Sequence, residues 1–204
     1  VPEQPAELSA VQPPDPRWAW LDVPVEEAAR RLLGCRLISE VGGDLTSARI
    51  VETEAYSPDD PASHTFRGPN KRNAAMFLGA GHAYVYLSHG IHSCLNIVSG
   101  RAGAGCGVLI RAVEPLEGGG LMRLRRGGRD GVELSNGPGK LGQALGINLG
   151  LTGHDLQAPP LRLLRGAEPP RVVVTTRIGI SKGVELPRRF YDAESRYVSK
   201  YVRA

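Results

Sequence analysis

The chain has 204 residues, 41% of them hydrophobic and 23% charged, with a formal net charge of +4 and a pI of about 9.1. That length suits one domain with a substantial core, and the lack of any apolar run of membrane-spanning length or basic-then-apolar leader argues against a membrane or exported protein. Cys35, Cys94 and Cys106 are odd in number and lack C-x-x-C spacing, which argues against a disulfide framework or thiolate zinc site and suits a reducing setting, cytoplasmic or, in a eukaryote, nuclear.

Residues 1–17 carry Pro2, Pro5, Pro13, Pro14 and Pro16 with few large apolar groups, so a disordered or extended arm is expected there and a folded domain over 18–204. Asp22 is placed to cap a short helix in which Val25, Ala28, Ala29, Leu32 and Leu33 recur at helical spacing, with Gly34 at its end. "CRLISE" and "LTSARIVETEAY" are strand-like and joined by "VGGD", the signature of a hairpin. On the second arm, alternation puts Ile50, Glu52, Glu54 and Tyr56 on one face and Val51, Thr53 and Ala55 on the other. Ser57 to Asn73 is rich in Pro, Asp, Ser, Gly and Arg and reads as loop.

"HAYVYL" and "GVLIRAVEPL" are further strands, with "SHGIHSCLNIVS" between them as a turn leading into another apolar element. Arg123, Arg125, Arg126 and Arg129 form the densest basic cluster, on a glycine-rich stretch that reads as surface. "SNGPGKLGQALGI" has the grammar of a helix start, with Ser135 or Asn136 as cap and Pro138 in the first turn, and "RVVVTTRIGI" is a late strand. Strands outnumber helices without β-α-β alternation. The expected class is α+β, a single compact domain with a curved, largely antiparallel sheet flanked by helices.

Three polar residues are costly where they stand. Glu54, Asn96 in "CLNIV" and Arg111 in "VLIRAV" interrupt apolar runs, and burying them requires partners, which they could supply to one another. A Glu–Arg pair on adjacent strands can be no more than an ion pair. Tyr56 beside Glu54, with Tyr84 and Tyr86 sharing a face of another strand, adds aromatic rings of the kind that hold a flat, electron-poor ring. The arginine excess, with only Lys71, Lys140, Lys182 and Lys200 among 25 basic residues, suits a phosphate-bearing partner, although a GC-rich genome also favours arginine. Phosphate contacts are expected from Arg67, Lys71 and Arg72 in the basic loop and from Lys140 at the helix start, with Arg177 and Arg189 as further contributors.

"RIVETEAY", "ASHTFRGPNKRNAAMF", "GHAYVYLSHGIHSCLNIVS", "GVLIRAVEPLEG", "SNGPGKLGQALGI" and "RIGI...RRFY" together resemble the alkyladenine, or 3-methyladenine, DNA glycosylase family of bacteria and mammals, in order from about Trp18 to Tyr191. The resemblance implies a monofunctional enzyme of base excision repair. It would extrude and hydrolytically excise alkylated or deaminated purines (the 3-methyladenine, 7-methylguanine, hypoxanthine and ethenoadenine class) from double-stranded DNA, leaving an abasic site, as a monomer without metal or organic cofactor. By the same resemblance Glu54 is the general base that activates water, Arg111 helps hold water and carboxylate, and Glu52 supports them. Tyr56 and Tyr86 stack on the flipped base, His64 contacts it, and Asn96 clashes with the 2-amino group of guanine. Where mammalian members insert a Tyr into the duplex this chain has His89, a smaller wedge that can carry charge near phosphate. His89, His92 and Cys94 raise zinc, but without an acidic or H-E-x-x-H partner the spacing does not support a metal site. A non-enzymatic binder of damaged nucleic acid, with Glu54 purely structural, is the rival reading.

Overall fold

A computed structural model describes residues 16–199, so the expected arm falls outside the described residues except for Pro16 and Arg17. Those two open a 3-10 helix, Pro16–Leu21, in which the buried Trp18 donates from Nε1 to Asp155 at 3.2 Å. Helix α1 (Val25–Arg31) buries Val25, Ala28 and Ala29, and Leu32 and Leu33 continue the buried stripe. Asp22 does not cap it. Pro24 occupies the N-cap without a side-chain bond, and Asp22 instead faces Arg101 at 3.6 Å.

Strands β1 (Arg36–Ser39) and β2 (Thr46–Tyr56) form the hairpin expected around "VGGD", with Ser39 opposite Thr46. With β3 (Ala83–Ser88), β4 (His92–Ser99), β5 (Cys106–Glu117) and β6 (Leu161–Leu164) they make a curved sheet in the order β3-β4-β5-β2-β1-β6. Strands β7 (Val172–Thr175) and β8 (Arg189–Asp192) join it where β1 stops pairing, since β8 takes Glu52–Glu54 of β2 as partners. All these pairings are antiparallel, as the α+β reading expects. The late strand is shorter than expected, ending at Thr175 before Arg177 turns inward. Among the described residues no helix is long and apolar enough to cross a membrane.

Strand β2 departs from simple alternation. Its register against β5 gains one residue on β2 between Ile50 and Glu52, and one on β5 between Ile110 and Ala112, so Val51 and Arg111 sit at β-bulges. Ala48, Ile50 and Ala55 therefore all reach the main core, and Thr53 Oγ1 donates to the Ala29 carbonyl of α1. Ile50 faces away from Glu52, Glu54 and Tyr56, contrary to the period-two expectation, because the extra residue shifts the phase of everything after it.

Helix α2 (Gly119–Arg125) stands where a glycine-rich surface segment was expected. Met122 is its buried anchor, and Arg125 donates to the carbonyls of Val41 and Ala144, so part of the basic cluster is internal scaffolding. Helix α3 (Pro138–Ala144) begins with Pro138 as expected, but Gly137 is its N-cap. Ser135 Oγ donates to Val113 instead, and Asn136 accepts from Lys140. A Cβ at Gly142 would stand 2.1 Å from the Ser93 carbonyl oxygen, so only glycine lets α3 lie against β4 and bring Pro138 to the mouth of the cleft described next.

Candidate active site

The sheet face turned away from α1 carries a cleft of about 420 Å³, within the roughly 300–1,000 Å³ typical of small-molecule sites. Tyr56, His64, Tyr86, Asn96 and Arg111 all line it, so the strands and the loop after β2 converge the expected pocket residues on one space. Ile178, from the segment after β7, closes one side.

Glu54 is fully buried just behind that lining. Its Oε2 accepts from the Tyr56 hydroxyl at 2.9 Å and from Arg111 Nη1 at 3.3 Å, and its Oε1 accepts from the Ile178 backbone N–H at 2.7 Å. All three donors line the cleft while the carboxylate does not. Three donors aimed at one carboxyl group is the pattern of an ionised acceptor. Oε1 takes one of those bonds and retains lone-pair capacity for a further donor such as water. The partnership of Glu54 and Arg111 expected from the sequence is present. Asn96 stands apart from it and donates from Nδ2 to the Tyr84 carbonyl at 3.3 Å across the β3–β4 pairing.

Tyr56 is held from two directions. Burial, then the neighbouring Glu54 charge and hydrogen bond, push its phenol far above the usual range, so the hydroxyl stays a donor. The Arg177 guanidinium lies 4.6 Å from its ring centroid. Arg177 was expected to meet phosphate, but its side chain is closed off from solvent. It is paired with the equally buried Asp60 and donates to the Ala55 and Gly183 carbonyls. Arg189 is likewise buried, donating to Glu52 Oε1 at 2.6 Å. Both were misplaced because a count of charges does not report burial.

On the β3 side, Tyr84 and Tyr86 stack with centroids 5.9 Å apart and planes 27° from parallel, and the His64 ring meets Tyr86 edge-on at 4.6 Å. His64 Nδ1 and the Tyr84 hydroxyl lie 2.9 Å apart. His64 opens onto the cleft, yet enough protein surrounds its ring that burial, aided by the Arg72 charge, lowers its pKa below the ordinary 6.5. Burial also pushes the Tyr86 phenol well up. Asn73, missed by sequence reasoning, fixes this loop by donating to the His64 and Gly68 carbonyls while accepting from the Asn70 N–H.

His89 lines the cleft at the tip of the β3–β4 hairpin, with a left-handed φ of 50°. Ile91 stands beside it 73% exposed, an apolar side chain presented to solvent. Arg67, Lys71 and Arg72 are exposed on the loop as expected. Lys140 is half-buried and bound to Glu133 at 2.7 Å and Asn136 at 2.8 Å. Among the described residues no group of three His, Cys, Asp or Glu side chains is placed to hold a metal ion. Burial pushes all three cysteine thiols up, the opposite of an activated nucleophile.

Asp60, Ser199 and the Ile178 N–H carry no signal in the sequence. Their partners are far along the chain, Arg177 lying 117 residues from Asp60, and nothing in periodicity or spacing links them. The sequence profile of a family described as methylpurine-DNA glycosylase matches residues 19–196. A protein of Methanoculleus marisnigri is 51% identical over 179 residues, covering 84% of this chain and 92% of its own. One of Carboxydothermus hydrogenoformans is 49% identical with the same coverage, and one of Rubrobacter xylanophilus is 52% identical over 78% of this chain and 84% of its own. Each is provisionally named a 3-methyladenine DNA glycosylase.

Proposed function

The chain belongs to the methylpurine-DNA glycosylase family and is a DNA N-glycosylase, and on that premise we propose that it excises alkylated or deaminated purines hydrolytically, with Glu54 as the base that activates water. The observation that carries this reading is the placement of Glu54: fully buried and bonded to Tyr56, Arg111 and Ile178, all three of which line the cleft.

A glycosidic bond inside a duplex is out of reach, so the damaged nucleotide is rotated into the cleft at a cost of a few kcal/mol of unstacking, least where the base is already mispaired or damaged. The hairpin tip, with His89 and the apolar Ile91, is the part shaped to fill the space left in the stack. Tyr56 and Tyr86 take the base between them. A cationic base such as 3-methyladenine gains cation–π attraction from the rings. Asn96 stands in the cleft wall, where the 2-amino group of guanine would meet it. His64 supplies a contact at the rim.

As the base departs, positive charge develops on the sugar. The Glu54 carboxylate offsets that charge and accepts a proton from water held at Oε1, while Arg111 keeps the carboxylate in place. No lysine lines the cleft among the described residues, so the route is hydrolysis to an abasic site rather than an imine with strand cleavage. Arg67, Lys71 and Arg72 supply phosphate contacts from the exposed loop.

Duplexes carrying methylated purines or hypoxanthine, incubated with wild type and Glu54→Gln and then treated with alkali, test the proposal. General base catalysis accounts for roughly 10²–10⁴-fold, so the variant should lose base release by about that factor while still binding a duplex with an abasic analogue. Equal release from both proteins would remove Glu54 from the chemistry.

A further inference from the structure

We infer that Glu52 is a positioning residue that aims Arg111 at Glu54, and that Ser199 and Arg189 lock Glu52 in that task. The inference rests on the reading of Glu54 as the base. Glu52 is fully buried two residues before Glu54, outside the cleft lining. Its Oε1 accepts from Arg111 Nε at 3.2 Å, Arg189 Nε at 2.6 Å and Ser199 Oγ at 2.7 Å, and its Oε2 from the Ser199 N–H at 2.6 Å. All four of these donors are protein groups, and Glu52 lies outside the cleft lining, so it is bound into the scaffold rather than presented to substrate.

The link to the reacting carboxylate is Arg111, whose Nε binds Glu52 while Nη1 binds Glu54. The guanidinium is flat and rigid, so fixing its Nε edge fixes where Nη1 points. Arg189 has a separate task. With two carboxylates and one arginine, Arg111 would be divided between them; with Arg189 bound to Glu52, the buried layer holds one cation for each anion. Ser199, beyond the last strand, makes four bonds: its N–H and Oγ donate to Glu52, its carbonyl accepts from Arg189 Nη2 at 3.2 Å, and its Oγ accepts from Arg111 Nη2 at 3.5 Å. Val51, the bulged residue just before Glu52, packs with Ala112 and with Tyr197 of the same C-terminal segment in a small core. The C-terminal segment thus closes the layer behind the active site.

The groups facing Glu54 are Tyr56 on β2, Arg111 on β5, Tyr86 on β3, Arg177 and the Ile178 N–H after β7, and Arg189 opposite it on β8. Glu52→Gln removes one negative charge from beside this group and leaves Arg111 and Arg189, its two cation partners, in place. The test is single-turnover release of hypoxanthine as a function of pH, with binding to a duplex bearing a tetrahydrofuran abasic analogue measured alongside. Glu52→Gln is expected to slow release on the order of 10- to 100-fold, leave tetrahydrofuran-duplex binding unchanged, and move the acidic limb of the rate profile to lower pH. Partial unfolding lowers the rate by the folded fraction at each pH, which circular dichroism reads, so a limb that is unmoved once the rates are divided by that fraction overturns the inference. Ser199→Ala, which removes the neutral hydroxyl that donates to Glu52 and accepts from Arg111, should slow release several-fold with binding intact. If Glu52→Gln does not fold, wild-type release by Ser199→Ala overturns the inference instead. Full activity of Glu54→Gln would sink the underlying reading and this inference with it, whereas an inactive Glu54→Gln beside an unmoved Glu52→Gln profile sinks this inference alone.

Discussion

On the β2 side of the cleft, the groups around Glu54 are held by charge: Glu54 to Arg111, Arg177 to Asp60, Glu52 to Arg189. On the β3 side, His64, Tyr84, Tyr86 and Asn96 hold one another through ring contacts, one hydroxyl and one carbonyl. Ion pairs in a low-dielectric interior tolerate little displacement, because removing either partner strands the other without water. Stacked rings slide at small cost. The division suits the two tasks assigned to the cleft: chemistry needs one carboxylate in one place, whereas recognition of several damaged purines needs a slot that accepts flat rings of differing outline.

Breaking the charged side should have the largest effect on folding. Asp60→Ala leaves the Arg177 guanidinium buried with only carbonyl partners and a ring face. Loss of one member of a buried pair costs about 3–5 kcal/mol, and for a domain of this length that lowers Tm by roughly 6–20 °C, read by thermal denaturation. The wild type carries the matching pH signature. Burial alone would raise the Asp60 carboxyl, but the hydrogen bonds from Arg177 and Ala62 and the nearby arginine charges outweigh it, so its pKa lies below the ordinary 3.8. A depressed carboxylate contributes stability in full above its unfolded value and loses it as pH falls through the folded one. Wild type should therefore lose stability below pH 3.8 more steeply than Asp60→Ala.

Single-ring substitutions sharpen the contrast between the two sides. Tyr86→Leu removes a stacking face and no hydrogen bond to Glu54. Base–aromatic stacking is worth about 1–3 kcal/mol, so retention of an extruded ethenoadenine, followed by its fluorescence, should weaken roughly 5- to 150-fold. Tyr56→Phe keeps the ring over Arg177 and deletes the hydroxyl that donates to Glu54. Its effect should fall on the rate of release with retention of the base unchanged. The same effect on both quantities from both variants would erase the distinction drawn between the two sides.

Much of this arrangement was legible in the sequence, and the illegible parts share a cause. Alternation marked β2 and β3, an apolar run marked β5, and the cost of burying Glu54 and Arg111 pointed to their meeting. Strands β6 and β8, four residues each, are too short for a periodic pattern to stand out, and α2 offers only Met122 as a buried residue. The bulges at Val51 and Arg111 are invisible because an extra residue in a strand leaves no compositional trace, yet they decide which way Ile50 faces. Arg177 and Arg189 look like any surface arginine until Asp60 and Glu52 are seen beside them. Local pattern reports on neighbours along the chain, and the charged layer is assembled almost entirely from distant ones.

The smallest expected effect lies at the rim, where the ring-built side meets the basic loop. The His64 ring titrates below 6.5 because burial disfavours its cation and Arg72 adds a like charge. Its Nδ1 is engaged with the Tyr84 hydroxyl, which leaves Nε2 as the ring atom able to meet a base. The unfolded chain keeps the ordinary value, so as pH falls through 6.5 it takes up this proton before the folded protein does. The contribution of His64 to stability is complete above 6.5 and declines below it; the ring opens onto the cleft, so the loss is small. Arg72→Gln removes the like charge but not the burial, and should move the His64 titration, followed by NMR, part of the way back toward 6.5. Because Arg72 is also assigned to phosphate, the same variant should reduce the slope of log K for duplex binding against log salt by about 0.9. A moved titration with an unchanged salt slope would keep Arg72 as a neighbour of His64 and remove it from the DNA-binding surface.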